Sequence, residues 1–248
     1  MEMSTKYSYK PLRPREIRLF ELWPGSGTQP LKGQLIHHPR GDTASAAAWF
    51  REKFPGASYE ALSYTWGDSI KTAKIKLYPS REATISGDMG ITDNLAAALR
   101  RLRLSDRERF LWIDAICINQ EDLAEREKQV VMMRNIFEGA TQTIIWLGEE
   151  DTVDSQSDTT TATRSALRCI GALQRPPAGY PSSADEKSDV RALSRLLSRQ
   201  SFSRVWVYQE VMVSEAETMM CGAEIISWDK LHKACLAVRD HEPFTPQF

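Results

Sequence analysis

Cysteine is scarce. Cys117, Cys169, Cys221 and Cys235 are scattered over 248 residues, and no two of them form a Cys-x-x-Cys pair. A zinc site therefore has little sequence support, and the chain is not a small disulfide-stapled domain, which points to a reducing compartment. Also missing are a G-x-x-x-x-G-K-[ST] loop and a G-x-G-x-x-G turn, so neither a P-loop nor the standard dinucleotide fingerprint is present. No excess of charge stands out: 32 Lys and Arg against 33 Asp and Glu leave a net charge of -1. The basic residues are spread rather than blocked, so neither nucleic acid nor a membrane surface is expected as a partner. No apolar run approaches the roughly 20 residues of a membrane helix. The opening "MEMSTKYSYKPLRPRE" has no signal-peptide core. The expectation is a soluble, cytoplasmic protein. The histidines, His37, His38, His232 and His241, form no triad-like pattern.

What is there is ordinary globular composition, 42% hydrophobic and 26% charged, enough for one substantial α/β core. Residues 1–15 read as a loosely held arm, and 16–248 as one domain with an insertion at about 151–190. "EIRLFELWPG" alternates as a strand and stops at Pro24-Gly25, and "GQLIHHP" is placed to pair with it. "YEALSYTWGD" is a strand running into a loop. "TAKIKLY" and "REATISG" are predicted as a hairpin. "TDNLAAALRRLRL" is a helix capped by Thr92, with Leu95, Ala98, Leu99 and Leu102 on one face. "RFLWIDAICI" is apolar enough for a central strand. "EDLAEREKQVVMMRNIFEGA" is a second helix, with a capping-box-like Asp122/Glu125 start, a stripe of Val130, Met133, Ile136 and Phe137, and a stop at Gly139. "TQTIIWLGEE" is another buried strand. The Ser/Thr/Pro-rich stretch that follows reads as a surface excursion around the helical piece "ALRCIGAL". The chain closes with a helix through "SRVWVYQEVMVSE", a strand "ETMMCG" and a terminal helix "IISWDKLHKACLAV". Strands alternating with helices predict a mainly parallel sheet flanked by helices.

In such a sheet, ligands bind at the carboxyl ends of the strands. Three polar clusters are predicted there. Ser63, Trp66, Gly67 and Asp68 follow the first parallel strand. Asp114, Cys117, Asn119 and Gln120 follow the next. Trp206, Gln209 and Glu210 share a face of the helix after the excursion. Glu210 interrupts an apolar run, Val205-Trp206-Val207-Tyr208 before it and Val211-Met212-Val213 after it. A carboxylate in such surroundings must be paired, hydrogen-bonded or protonated. Either it forms a buried ion pair, with Arg126 or Arg134 as candidate partners, or it lines a cleft beside an aromatic ring. Asp114 either faces a ligand or caps the next turn. Cys117 has no nearby histidine and reads as inert more readily than as a nucleophile. Trp66, Trp112 and Trp146 fit core or rim positions, with Trp66 the best placed to meet a ligand.

"YEALSYTWGD", "LWIDAICINQEDLAEREKQVVMMRNIFEGATQTIIWLGEE" and "RVWVYQEV" resemble the three signature blocks of the fungal heterokaryon-incompatibility (HET) domain. "IRLFELWPG", "ITDNLAAALRRLR" and "CGAEIISW" fit the same pattern, so the resemblance covers roughly residues 16–232. It implies a role in fungal non-self recognition and cell death, often with nucleotide-binding or repeat modules C-terminal to this domain. The blocks are in turn similar to a decorated TIR domain, a flavodoxin-like, Rossmannoid fold. The catalytic glutamate of NAD-cleaving TIR domains, four residues after a tryptophan, falls on Glu210. The resemblance implies NAD+ as substrate rather than cofactor, Glu210 as catalytic carboxylate, the other residues of the three clusters as substrate-binding groups, and self-association on activation. The added hairpin and the long insertion depart from a simple TIR pattern.

Overall fold

A computed structural model of the chain describes residues 5–39, 52, 54, 58–67, 70–150, 162–173, 184–203, 210 and 212–241. The strands are β1 (Thr5–Lys6), β2 (Glu16–Leu22), β3 (Leu31–Pro39), β4 (Tyr59–Tyr64), β5 (Ala73–Leu77), β6 (Gly87–Ile91), β7 (Arg109–Trp112), β8 (Thr143–Trp146), β9 (Glu217–Cys221) and β10 (Glu224–Ser227). The helices are α1 (Asp93–Leu102), α2 (Asp114–Cys117), α3 (Leu123–Glu138), α4 (Ala162–Leu173), α5 (Ala184–Leu197) and α6 (Trp228–His241). The strands form one mixed sheet in the order β1-β6-β5-β3-β2-β7-β4-β8-β9-β10.

The block β7-β4-β8-β9 is parallel throughout. Numbered along the chain from β4, its order is 2-1-3-4, as in flavodoxin-like doubly wound sheets. Helices cover both faces of this block. Register pairs Ala61 with Trp112 and Tyr64 with Trp146, so the two tryptophans stand on opposite faces. The Trp112 ring meets Phe137 of α3 edge-on at 5.5 Å. The Trp146 indole donates to Asn94 of α1 at 2.8 Å. Asn94 therefore lies on the face opposite α3. The α/β architecture expected from the sequence is what the chain adopts.

Local chemistry explains most boundaries. Thr92 Oγ1 accepts from Leu95 N–H and starts α1, whose Leu95, Ala98, Leu99 and Leu102 are buried. Asp122 caps α3 by accepting from Glu125 N–H at 3.0 Å, and Gly139 ends it. Glu125 does not close the expected box. Its carboxylate is taken by the buried Arg18 at 2.6 and 3.0 Å and by Asn119 N–H at 2.7 Å.

Several expectations are corrected. The hairpin partner of β5 is not "REATISG" but Gly87–Ile91, six residues further on, paired from Leu77↔Gly87 to Ala73↔Ile91. Tertiary pairing on both sides, with β5 and β1, overrides the weak strand propensity of its two glycines. "RFLWIDAICI" is strand only to Trp112 and then turns into α2. "EIIS" is the strand β10, and the last helix starts at Trp228. The arm expected to be loose is held over its described part. β1 pairs with β6, Tyr9 donates to Ile116 O at 2.9 Å, and Arg18 packs on the Tyr9 ring and takes Lys10 O at 2.6 Å. α4 is no surface piece: Ala166, Cys169 and Ile170 are buried in a second apolar cluster with Ile145, Met219 and Leu231.

Candidate functional site

A cavity of about 470 Å³ opens at the carboxyl ends of β4 and β7, lined by Thr65, Trp66, Gly67, Asp114, Val130, Met133, Gln200 and Glu210. Its size falls within the roughly 300–1,000 Å³ of ordinary ligand sites. β4 delivers Thr65 and Trp66 and then turns away at Gly67, whose φ of +67° lies in the left-handed region that favours glycine. β7 delivers Asp114 as the first residue of α2. One carboxylate oxygen of Asp114 accepts the Ala115 N–H at 2.7 Å, and the other accepts the Trp66 indole at 3.0 Å. Of the two alternatives for Asp114, the cap is seen: it caps its own turn, and its other oxygen holds a cavity aromatic in place.

The loop carrying Trp66 is fixed by a closed ring of hydrogen bonds. Asn94 donates to Thr65 O at 2.7 Å and accepts from Trp146 at 2.8 Å. Thr65 Oγ1 meets Ser201 Oγ at 3.1 Å, and Ser201 reaches Trp146 O at 3.3 Å. Ser201 belongs to the 3-10 turn Gln200–Ser203. Arg199, just before it, donates to Leu147 O at 2.7 Å and to Glu149 O at 2.9 Å. The exits of β4 and β8 and the turn that brings Gln200 to the cavity are therefore tied together. Sequence reasoning missed Thr65, Asn94, Gln200 and Ser201. Thr65 adjoins a predicted cluster, but Asn94 carries no signal of its own, because Thr92 accounts for the cap.

Glu210 is 6% exposed, has helical backbone and lines the cavity. Arg126 and Arg134 are exposed on α3, and neither forms an ion pair with Glu210 among the described residues. Val130 and Met133, expected in the buried stripe of α3, instead contribute apolar wall. The deep positions of that helix are Gln129, Ile136 and Phe137.

Of the residues predicted from sequence, Trp66, Gly67, Asp114 and Glu210 come together here. Four others do not. Ser63 is buried within β4. Cys117 is fully enclosed, and burial pushes its thiol up to about 12, so it is neither a ligand contact nor a nucleophile. Asn119 accepts from Glu121 N–H at 3.2 Å, and Gln120 donates to Asp114 O at 2.8 Å, so both serve the loop between α2 and α3. Asp68, Trp206 and Gln209 lie outside the described residues. No group of His, Cys, Asp and Glu suited to a metal ion occurs among the described residues, and no described helix is long and apolar enough to cross a membrane.

A family model described as "Heterokaryon incompatibility protein (HET)" matches residues 59–210. That span runs from the first residue of β4 to Glu210 and takes in every cavity residue named above. "Heterokaryon incompatibility protein 6, OR allele" of Neurospora crassa is 30% identical over 217 residues, covering 70% of this chain. The chain spans 30% of that relative's length. No solved structure matches the chain.

Proposed function

The chain belongs to the heterokaryon incompatibility family, and on that premise we propose that it is a fungal non-self recognition and cell-death effector domain that hydrolyses NAD+ with Glu210 as its catalytic carboxylate. The observation that carries the reading is the position of Glu210, a carboxylate on an apolar segment that faces a nucleotide-sized cavity beside an aromatic ring. The order of the parallel strands supports a TIR-like relationship.

The chemistry needs little from the protein. The bond between ribose C1′ and the pyridinium nitrogen breaks, and its electron pair neutralises the nicotinamide. An oxocarbenium-like centre develops at C1′, as in glycoside hydrolysis. Glu210 stabilises that positive charge in a site where water is partly excluded. Water then adds to C1′ and loses a proton, giving ADP-ribose. Nicotinamide leaves as a neutral molecule, so no strong general acid is required.

Incubation of the purified chain with NAD+, followed by separation of products, tests this. Nicotinamide and ADP-ribose are expected in equal amounts, and Glu210→Ala is expected to lower the rate by about 10²-fold or more. Undiminished release by Glu210→Ala would remove Glu210 from the mechanism.

A second reading, a non-enzymatic module that signals by self-association, is favoured by exposed apolar side chains: Val131 is 83% exposed and Met212 82%. It predicts concentration-dependent sedimentation abolished by Val131→Glu, with cell killing unaffected by Glu210→Gln.

A further inference from the structure

We propose that the carboxamide of Gln200 reads the carboxamide of the ligand, so that the site takes a flat ring bearing a primary amide in preference to the same ring bearing an acid or a ketone. The inference rests on the NAD+ reading above and deepens it, because it assigns the residue that tells a nicotinamide dinucleotide from its nicotinic acid counterpart. Other polar groups on the cavity wall are already occupied within the protein. Thr65 Oγ1 meets Ser201 Oγ at 3.1 Å. The Trp66 indole N–H goes to Asp114 at 3.0 Å, and the other Asp114 oxygen takes the Ala115 N–H at 2.7 Å. Gln200 differs. Its backbone carbonyl accepts from the Ser203 hydroxyl at 2.8 Å, but its side-chain amide makes no hydrogen bond among the described residues.

A glutamine of that kind is ordinarily just a solvated surface residue. This one lines a cavity and sits on a clamped turn. Arg199 before it holds the carbonyls of Leu147 and Glu149 at 2.7 and 2.9 Å. Ser201 after it bonds to Thr65 and to Trp146 O. Phe202 N–H closes the turn onto Arg199 O at 3.0 Å. A backbone held on both sides loses less freedom when its side chain engages a ligand. A carboxamide offers a carbonyl oxygen and an NH2 group. Against a second primary amide it forms two reciprocal bonds, its N–H donating to the ligand carbonyl and its Oε1 accepting the ligand N–H. Nicotinamide carries that group on a flat ring, which suits the Trp66 face and the apolar wall of Val130 and Met133. Nicotinate has no amide N–H, so one of its oxygens faces Oε1. A methyl ketone keeps the acceptor and loses the donor. Because Gln200 is exposed, water competes, and the discrimination is that of one net hydrogen bond, about tenfold, far below that of a sealed site.

Dissociation constants of the 248-residue chain for nicotinamide and 3-acetylpyridine, measured by ligand-observed NMR, test the assignment without any turnover. 3-Acetylpyridine has the same shape without the amide N–H, and both molecules are uncharged at neutral pH, so the carboxylates of the cavity act on them alike. Nicotinamide is expected to bind about tenfold tighter. Gln200→Ala is expected to bring that ratio below about twofold with an unchanged melting temperature, because the side chain holds nothing else in the described fold. Equal binding of the two rings by wild type, no binding of nicotinamide, or a preference that survives in Gln200→Ala would overturn the proposal. Release of nicotinamide from NAD+ without an amide preference sinks the Gln200 assignment and leaves the hydrolysis. An amide preference that depends on Gln200, without release, sinks the hydrolysis and leaves the assignment.

Discussion

At the scale of single residues, buried charge is the informative feature. Arg18 is 1% exposed and yet carries a full guanidinium inside the fold. It is compensated by Glu125, which it grips through both terminal nitrogens, and by the carbonyls of Cys117 and Lys10. Glu125→Ala leaves that charge unpaired and is expected to cost about 3–5 kcal/mol in urea denaturation. A loss under about 1 kcal/mol would show that the pair is not the joint between β2, the segment Tyr9-Lys10 and α3. Cys117 makes a pH-dependent prediction. Burial raises its thiol to about 12 in the folded chain, against about 8.5 when unfolded. Its contribution to stability is therefore complete below about pH 8.5 and declines as pH rises toward the folded value, because only the unfolded chain gives up the proton. Thermal melts of wild type should fall more steeply than those of Cys117→Ala between pH 8.5 and 10. Parallel curves would contradict the burial argument. Glu210 and Cys117 show why the same sequence logic succeeds in one case and not in the other. Both break apolar surroundings, but only one lies at a strand-exit cavity, and that follows from topology rather than from neighbours in sequence.

At the scale of elements, β2 and β3 depend on close contact. Any side chain on Gly33 would place its Cβ 2.1 Å from Glu21 O and 2.6 Å from the Phe20 ring. Gly33→Ala is expected to cost about 3 kcal/mol, read as a lowered denaturation midpoint, because backbone must move. An unchanged midpoint would mean that the β2–β3 register is looser than described. α1 matters through Asn94. Asn94→Ala strands the Trp146 indole and the Thr65 carbonyl and is expected to cost about 1–3 kcal/mol. If the loop also positions Trp66, KM for NAD+ rises more than kcat falls; a pure stability loss with unchanged KM would confine Asn94 to a structural role. The elements legible in the sequence were those with local signatures. Thr92 and Asp122 mark helix starts, and "FLWI" and "IIWL" are continuous apolar runs. β6 was misread because "GDMGI" has little strand propensity and is a strand only through its neighbours. α4 was legible as a helix in "ALRCIGAL", but the Ser/Thr/Pro-rich composition around it concealed its burial.

At the scale of the whole molecule, an extended mixed sheet supports a four-strand parallel block, and the site forms where that block ends. The rule that ligands gather at the carboxyl ends of parallel strands selects Trp66, Gly67, Asp114 and Glu210, and these four line one cavity. The same rule over-reached for Ser63, Asn119 and Gln120, because proximity to a strand end does not say which way a side chain faces or whether the loop uses it for itself. The hydrogen-bonded ring through Asn94, Thr65, Ser201 and Trp146 joins residues up to 136 positions apart, which no local pattern reveals. The account as a whole stands on Glu210 acting on a bound nicotinamide ribosyl bond. Its most direct test is the rate of nicotinamide release from NAD+ by wild type and Glu210→Gln, each shown by thermal melting to be folded. The account predicts release by wild type and a rate lower by about 10²-fold or more in the variant, with a melting temperature equal to or above that of wild type. No release by either protein, or equal release by both, would contradict it.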